Sequence, residues 1–163
     1  MPPEEPTPIL GLCFEQMVRI FEERWGRGRH RAASVFREFY RRDNSRFHDP
    51  AAFGFPPAAA QDLGRMLCHE APHLDAIDAA DGVVKFVTRL KDGCRIESVI
   101  LPMATHGTLC VSTQVGCRMG CLFCSTGRHG FVRDLSAAEI VGQMYTARKT
   151  LGRDIRNIVF MGM

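Results

Sequence analysis

Four of the seven cysteines, Cys110, Cys117, Cys121 and Cys124, fall within fifteen residues. The run Cys117-Arg118-Met119-Gly120-Cys121-Leu122-Phe123-Cys124 has the spacing C-x3-C-x2-C. Three thiolates on one tight loop suit three corners of a cubane iron–sulfur cluster, and they leave the fourth iron open to a substrate or cofactor. Structural zinc instead wants a fourth Cys or His. His129 lies near the loop and Cys110 lies at the far end of the preceding strand, so spacing alone leaves zinc open as well. Unliganded thiols crowded on a glycine-bearing loop would oxidise, which argues for a ligand. The odd cysteine count argues against a disulfide framework. Cys13, Cys68 and Cys94 belong to no motif, and the histidines are scattered.

The elements around this loop change character along the chain. Leu10, Phe14, Met17, Val18, Phe21 and Trp25 form one stripe of an amphipathic helix, ended by Gly26 and Gly28. A second helix is expected over 29–42, with Ala33, Phe36 and Tyr40 inward. A loop marked by Pro50, Gly54, Pro56 and Pro57 follows, then a third helix over 58–70 carrying Leu63, Met66 and Leu67. The period then shortens. Val83–Leu90 and Arg95–Leu101, joined by Lys91-Asp92-Gly93, read as a hairpin, and Thr108–Val115 as a third strand. Ser136-Ala-Ala-Glu139 is a capping box. It opens a helix with Ile140, Met144, Ala147 and Leu151 on one face, stopped by Gly152 before a short buried strand from Ile155 to Met161. Strand, loop, helix, strand is a βαβ unit, which implies a parallel sheet with its site at the strand C-termini. No repeat or low-complexity tract interrupts the pattern.

Composition places the chain among globular proteins: 163 residues, 45% hydrophobic and 24% charged, with no apolar run of membrane-spanning length. The first five residues carry no base, so no secretory signal is expected, and the location is expected to be cytoplasmic. The net charge of +3 conceals a block at 24–46 with eight arginines against Glu38 and Asp43. Trp25, His30, Phe36, Phe39 and Tyr40 are interleaved with it. Guanidinium groups pair with phosphates, and rings stack on bases, so the block is either an RNA-binding face or a solvated helix face. Arg118 and Arg128 flank the cysteine loop, where they meet RNA phosphate, a cofactor carboxylate or solvent.

The C-x3-C-x2-C run with Phe123 before its last cysteine resembles the radical S-adenosylmethionine signature. The wider runs Thr108-Leu-Cys-Val-Ser-Thr-Gln-Val-Gly-Cys117, Cys124-Ser-Thr-Gly-Arg-His-Gly-Phe131 and Ala138-Glu-Ile-Val-Gly-Gln143 are more specific. They resemble the RlmN/Cfr-type adenosine methyltransferases, and the RlmN branch above all, as does Asp92-Gly-Cys-Arg-Ile-Glu-Ser-Val. The likeness is strong over 82–163 and loose over 1–81. It implies an α/β fold: a helical N-terminal accessory domain at 1–81, the β-hairpin, and the first βαβ unit of an incomplete (β/α)6 partial barrel over 82–163, ending after the second core strand.

The resemblance also implies chemistry. Members of the RlmN branch methylate carbon 2 of an adenosine in 23S rRNA and in some tRNAs. Cys117, Cys121 and Cys124 match the ligands of a [4Fe–4S] cluster, whose open iron binds S-adenosyl-L-methionine, with Phe123 against cofactor or cluster. A one-electron donor such as flavodoxin is implied. A second cofactor molecule methylates a carrier cysteine, a radical joins that methyl group to the adenine, and a second cysteine frees the RNA by forming a disulfide with the carrier. Cys110 matches this resolving cysteine, and Glu97 the proton acceptor. Between Ile96 and Val99-Ile100, Glu97 is expected to be partly buried with a raised pKa. In the family the last strand runs into a Gly-Glu-Pro motif, and the carrier cysteine lies in a C-terminal half; neither follows Met163 here. The expectation is an N-terminal portion of such an enzyme, inactive alone; the competing reading is a non-enzymatic RNA-binding module bearing iron–sulfur or zinc.

Overall fold

The computed structural model describes residues 5–163. Met1–Glu4, on which the expectation of no secretory signal partly rests, lie outside the described residues. The chain divides between Glu70 and Ala71 into two units. The first is helical, with a two-residue parallel pair of strands, β1 (Thr7–Pro8) and β2 (Leu67–Cys68), tying its ends. Between them run α1 (Phe14–Trp25), α2 (Arg29–Arg42), the single turn α3 (Pro50–Phe53) and α4 (Pro57–Met66). The α1 stripe buries Met17, Val18 and Phe21, and the helix ends where Gly26 takes the left-handed conformation, φ 65°. On α2 the inward residues are Ala32, Val35 and Phe39, one position off the expected Ala33, Phe36 and Tyr40. Ala33 is exposed. Phe36 and Tyr40 sit at the margin, where Phe36 packs edge-on to Phe14 and the Tyr40 hydroxyl donates to the Ile9 carbonyl. Both sets satisfy helical spacing, so only packing selects the phase.

The second unit is a mixed sheet with one helix across it. Its strands are β3 (His73–Ala80), β4 (Val83–Arg89), β5 (Arg95–Pro102) and β6 (Gly107–Cys110), then β7 (Gln114–Gly116), α5 (Ser125–Arg128), β8 (Phe131–Asp134), α6 (Ala137–Tyr145) and β9 (Ile155–Val159). The large sheet has the order β3-β4-β5-β6-β9, and β7 pairs with β8 apart from it. Within the large sheet only β6 and β9 are parallel, the pair joined through α6; its other pairs are antiparallel. Segment 73–80, assigned from sequence to the helical domain, is therefore a strand of the sheet, and the boundary between units falls at 70/71 rather than 81/82. β9 is also less buried than expected: Ile155 is enclosed, but Ile158 is 42% exposed, because no described strand lies beyond this edge.

α6 opens with the capping box, Glu139 N–H donating to Ser136 Oγ and Ser136 N–H to Glu139 Oε2. It lays Ile140 and Met144, with Ala147 from the π-helical turn Thr146–Thr150 that continues it, on the sheet face formed by Val84, Phe86, Ile100, Leu109 and Ile155. In this apolar layer sits one wholly buried amide, Gln143. Its Oε1 accepts from Ser98 Oγ and from Ser112 N–H, both at 2.8 Å, and its Nε2 donates to the Ser112 carbonyl at 2.8 Å. Arg133 on β8 makes a second tie. It donates twice to Glu139, at 2.8 and 3.0 Å, and once to Asp92 in the hairpin turn, at 2.8 Å.

Two outcomes follow from these ties. Gln143→Leu strands the Ser112 N–H and C=O and the Ser98 hydroxyl, at ~1–3 kcal/mol for each group left unpaired. The urea midpoint should drop steeply, and an unchanged midpoint would remove the clasp from the account. For Glu139, the hydrogen bonds from Arg133 hold its carboxyl below its ordinary value of 4.5. Its stabilising effect is complete above that value and is lost as pH falls through the depressed folded one. Arg133→Met should flatten this acid limb in unfolding midpoints measured between neutral and acid pH.

Candidate metal centre

The cysteine loop hangs from a closed neck. Gly116 on β7 faces Phe131 on β8, and Cys117 N–H donates to the Gly130 carbonyl at 3.0 Å. Gly116 is left-handed, φ 72°, and any Cβ there would collide with the Gly130 carbonyl oxygen. Within the loop, Cys124 N–H donates to the Cys121 carbonyl at 3.1 Å. A Cβ on Gly127 would stand 3.0 Å from both the nitrogen and the oxygen of Cys121, so glycine lets this turn fold onto the preceding cysteine. Backbone N–H groups of Gly127, then Thr126, point at the Cys124 sulfur and hold its thiol below the ordinary value.

Cys117, Cys121 and Cys124 are free and half-buried. The loop keeps them close in sequence, yet among the described residues no three His, Cys, Asp or Glu side chains converge tightly enough to hold a metal ion. The intervening apolar residues point outward: Met119 is 78%, Leu122 94% and Phe123 91% exposed. Phe123 is therefore not core. Arg118 is engaged at the neck. Its N–H donates to Gln114, and its guanidinium lies 4.1 Å from the Phe131 ring centroid and 3.6 Å from Asp134.

Glu97 and Cys110 lie on adjacent strands, β5 and β6, where Val99 pairs with Cys110. On β5 the odd residues 95, 97 and 99 turn away from α6 and the even residues 96, 98 and 100 turn inward. Glu97 is thus an outward residue, its side chain 50% exposed and 3.2 Å from Lys85 Nζ, not the partly buried carboxylate expected. Strand alternation decides this, whatever its apolar neighbours in sequence. Cys110 is half-buried on the same outer face. Sequence reading passes over Ser112 and Gln143. The only signal is a polar residue on an apolar helix face, which is read more readily as solvated.

In the helical unit the arginine block is divided. Arg24 makes a two-pronged pair with Asp62, at 2.9 and 2.8 Å, and Trp25 Nε1 donates to the same carboxylate. Arg31 lies over the Trp25 and Phe55 rings, Arg29 over Phe14. Arg42 pairs with Glu38 and Arg46 with Asp49. All eight arginines but Arg31 are exposed, and Arg27, Arg37 and Arg41 make no ion pair or ring contact among the described residues. Part of the aromatic interleaving therefore packs the unit internally, and the arginines without a partner are fewer than the block suggests.

The donor set suits an iron–sulfur cluster. It offers three thiols on one loop, one of them biased toward thiolate by backbone N–H groups.

No protein-family model matches the chain. Single proteins do. The dual-specificity RNA methyltransferase RlmN of Halorhodospira halophila is 38% identical over 173 residues, covering 97% of this chain and 44% of that protein. The probable dual-specificity RNA methyltransferase RlmN 1 of Protochlamydia amoebophila is 37% identical, again with 97% and 44% covered. A crystal structure of a radical SAM methyltransferase from Sphaerobacter thermophilus superposes with a TM-score of 0.78 at 32% identity, covering 97% of this chain and 47% of that one. The chain thus spans a little under half the length of these relatives. Over nearly its whole length the chain is therefore similar, in sequence and in α/β fold, to part of the RlmN-type radical SAM methyltransferases.

Proposed function

We propose that this chain supplies the cluster loop and the resolving thiol of a radical S-adenosylmethionine RNA methyltransferase acting on carbon 2 of an adenosine in 23S rRNA or tRNA. The observation that carries the reading is the position of the C-x3-C-x2-C loop. It follows the C-terminal end of β6, the strand lying parallel to β9, where βαβ folds place their sites. In this reading β6, α6 and β9 are the first βαβ unit of a (β/α)6 partial barrel, and the face bearing Glu97 and Cys110 is the one opposite α6.

Cys117, Cys121 and Cys124 would hold a [4Fe–4S] cluster, and Phe123, free at the loop tip, would lie against S-adenosylmethionine. When bound, these groups supply one-electron chemistry at a carbon that ordinary nucleophiles do not alkylate, with an external donor such as flavodoxin. Cys110, half-buried on the face opposite α6, would attack a carrier cysteine and free the RNA. Glu97, on that face and paired with Lys85, holds or accepts the proton. The exposed Arg27, Arg37 and Arg41 would meet RNA phosphates.

Anaerobic reconstitution should load about four irons per chain. Cys117→Ala, Cys121→Ala and Cys124→Ala should each abolish loading, because the site has no spare protein ligand. One tightly held zinc in place of iron would support the RNA-binding module instead, and full iron in two of the three variants would end the assignment.

RNA affinity should fall with salt. Arg27→Glu, Arg37→Glu and Arg41→Glu together should flatten that dependence, each phosphate no longer neutralised taking ~0.7–0.9 off the log–log slope. Reversing Arg24 or Arg31 should mainly lower stability, since their partners are internal. A slope unmoved by the triple variant would return α2 to a solvated face.

A further inference from the structure

The β5–β6 ladder ends at the pair Val99–Cys110. In the same register the next rung would join Glu97 to Ser112. The Ser112 backbone does not make it, because its N–H and C=O both turn to Gln143 on α6. The Ser112 side chain takes its place: Oγ donates to the Glu97 carbonyl at 2.7 Å. The same oxygen accepts from Met163 N–H at 3.2 Å. One wholly buried hydroxyl thus ties β5, the continuation of β6, and the segment after β9.

The consequence lies on the outer face. Glu97 and Cys110 are diagonal neighbours across the β5–β6 pair, a relation that sets side chains ~7–8 Å apart and within reach of a long arm. Above them the ladder is closed by backbone bonds; below them the one direct bond among the described residues is this hydroxyl, beside the indirect tie in which Gln143 holds both Ser98 and Ser112. Removing the hydroxyl loosens the Glu97 end of β5 against β6, while the β4–β5 rungs, which include Val87–Glu97 and Thr88–Ile96, keep Glu97 beside Lys85.

We infer that Ser112 is a positioning residue, its side-chain hydroxyl completing the ladder so that the Glu97 carboxylate stays in register with the Cys110 thiol. The inference rests on the roles proposed above for Glu97 and Cys110.

Nuclear magnetic resonance of the isotope-labelled chain tests it without requiring turnover. Glu97→Gln should perturb the resonances of Lys85 across β4 and of Cys110 across β6. In a Ser112→Ala background the response at Lys85 should persist and the response at Cys110 should be lost; Ser112→Thr, which keeps the hydroxyl, should restore it. A Cys110 response unchanged by Ser112→Ala overturns the positioning role and leaves the proposed chemistry standing. Loss of both responses overturns it too, by making the serine a general support of β5. No response at Cys110 to Glu97→Gln in any background removes the pair itself, and with it the role proposed for Glu97. Independently of any variant, Met163 N–H should be protected from solvent exchange, and free exchange there would show that the hydroxyl is not engaged.

Discussion

The second unit depends on one side-chain amide. Gln143 is wholly buried between α6 and the sheet, and its two polar atoms satisfy the backbone of Ser112 as a neighbouring strand would. The chain has to leave the sheet just there, between Cys110 and Gln114, to begin the cysteine loop. A backbone that departs from a ladder inside an apolar layer leaves a donor and an acceptor to be paired, and such groups are costly when unpaired. The helix provides both partners from a single residue. Packing then follows: Ile140 and Met144 can reach the layer of Phe86 and Leu109 because the helix is pinned at the level of Gln143.

Around this clasp the ties are electrostatic and more exposed. Arg133 joins the hairpin turn, β8 and the first turn of α6 through Asp92 and Glu139. The cysteine loop returns to the fold between β7 and α6, so Arg133 braces its exit as the Gly116–Gly130 approach braces its neck. The loop itself is left with an exposed apolar tip at Met119, Leu122 and Phe123. A rigid base with an adaptable tip suits the proposed cluster role, in which the thiols would take the geometry of an inorganic group rather than impose their own.

Much of this order can be read from residue spacing. The α1 stripe, the hairpin around Asp92-Gly93, the capping box at Ser136 and the strand–helix–strand unit all depend on local patterns, and the structure has each of them. What escapes depends on partners distant in sequence. His73–Ala80 carries acids and alanines rather than alternating apolar residues, because it is an edge strand exposed along most of its length. The phase of α2 differs by one residue because two interleaved sets of apolar side chains fit one period. The expected burial of Glu97 follows from its neighbours in sequence, whereas a strand alternates regardless of them. The spacing of the cysteines names a chemistry, yet the convergence of three sulfurs is a property of a loop fold and an incoming group together.

The closed neck at Gly116 and Gly130 has a kinetic meaning. A segment whose ends are already joined behaves as a small tethered ring, and most of the entropy of bringing its ends together is lost when the unit folds. Each thiol then meets the others at a high effective concentration, so after the first sulfur binds, the next two steps are intramolecular. For the proposed cluster, capture speed would be set by the first encounter with the incoming metal. Release requires several bonds to open before any one of them recloses.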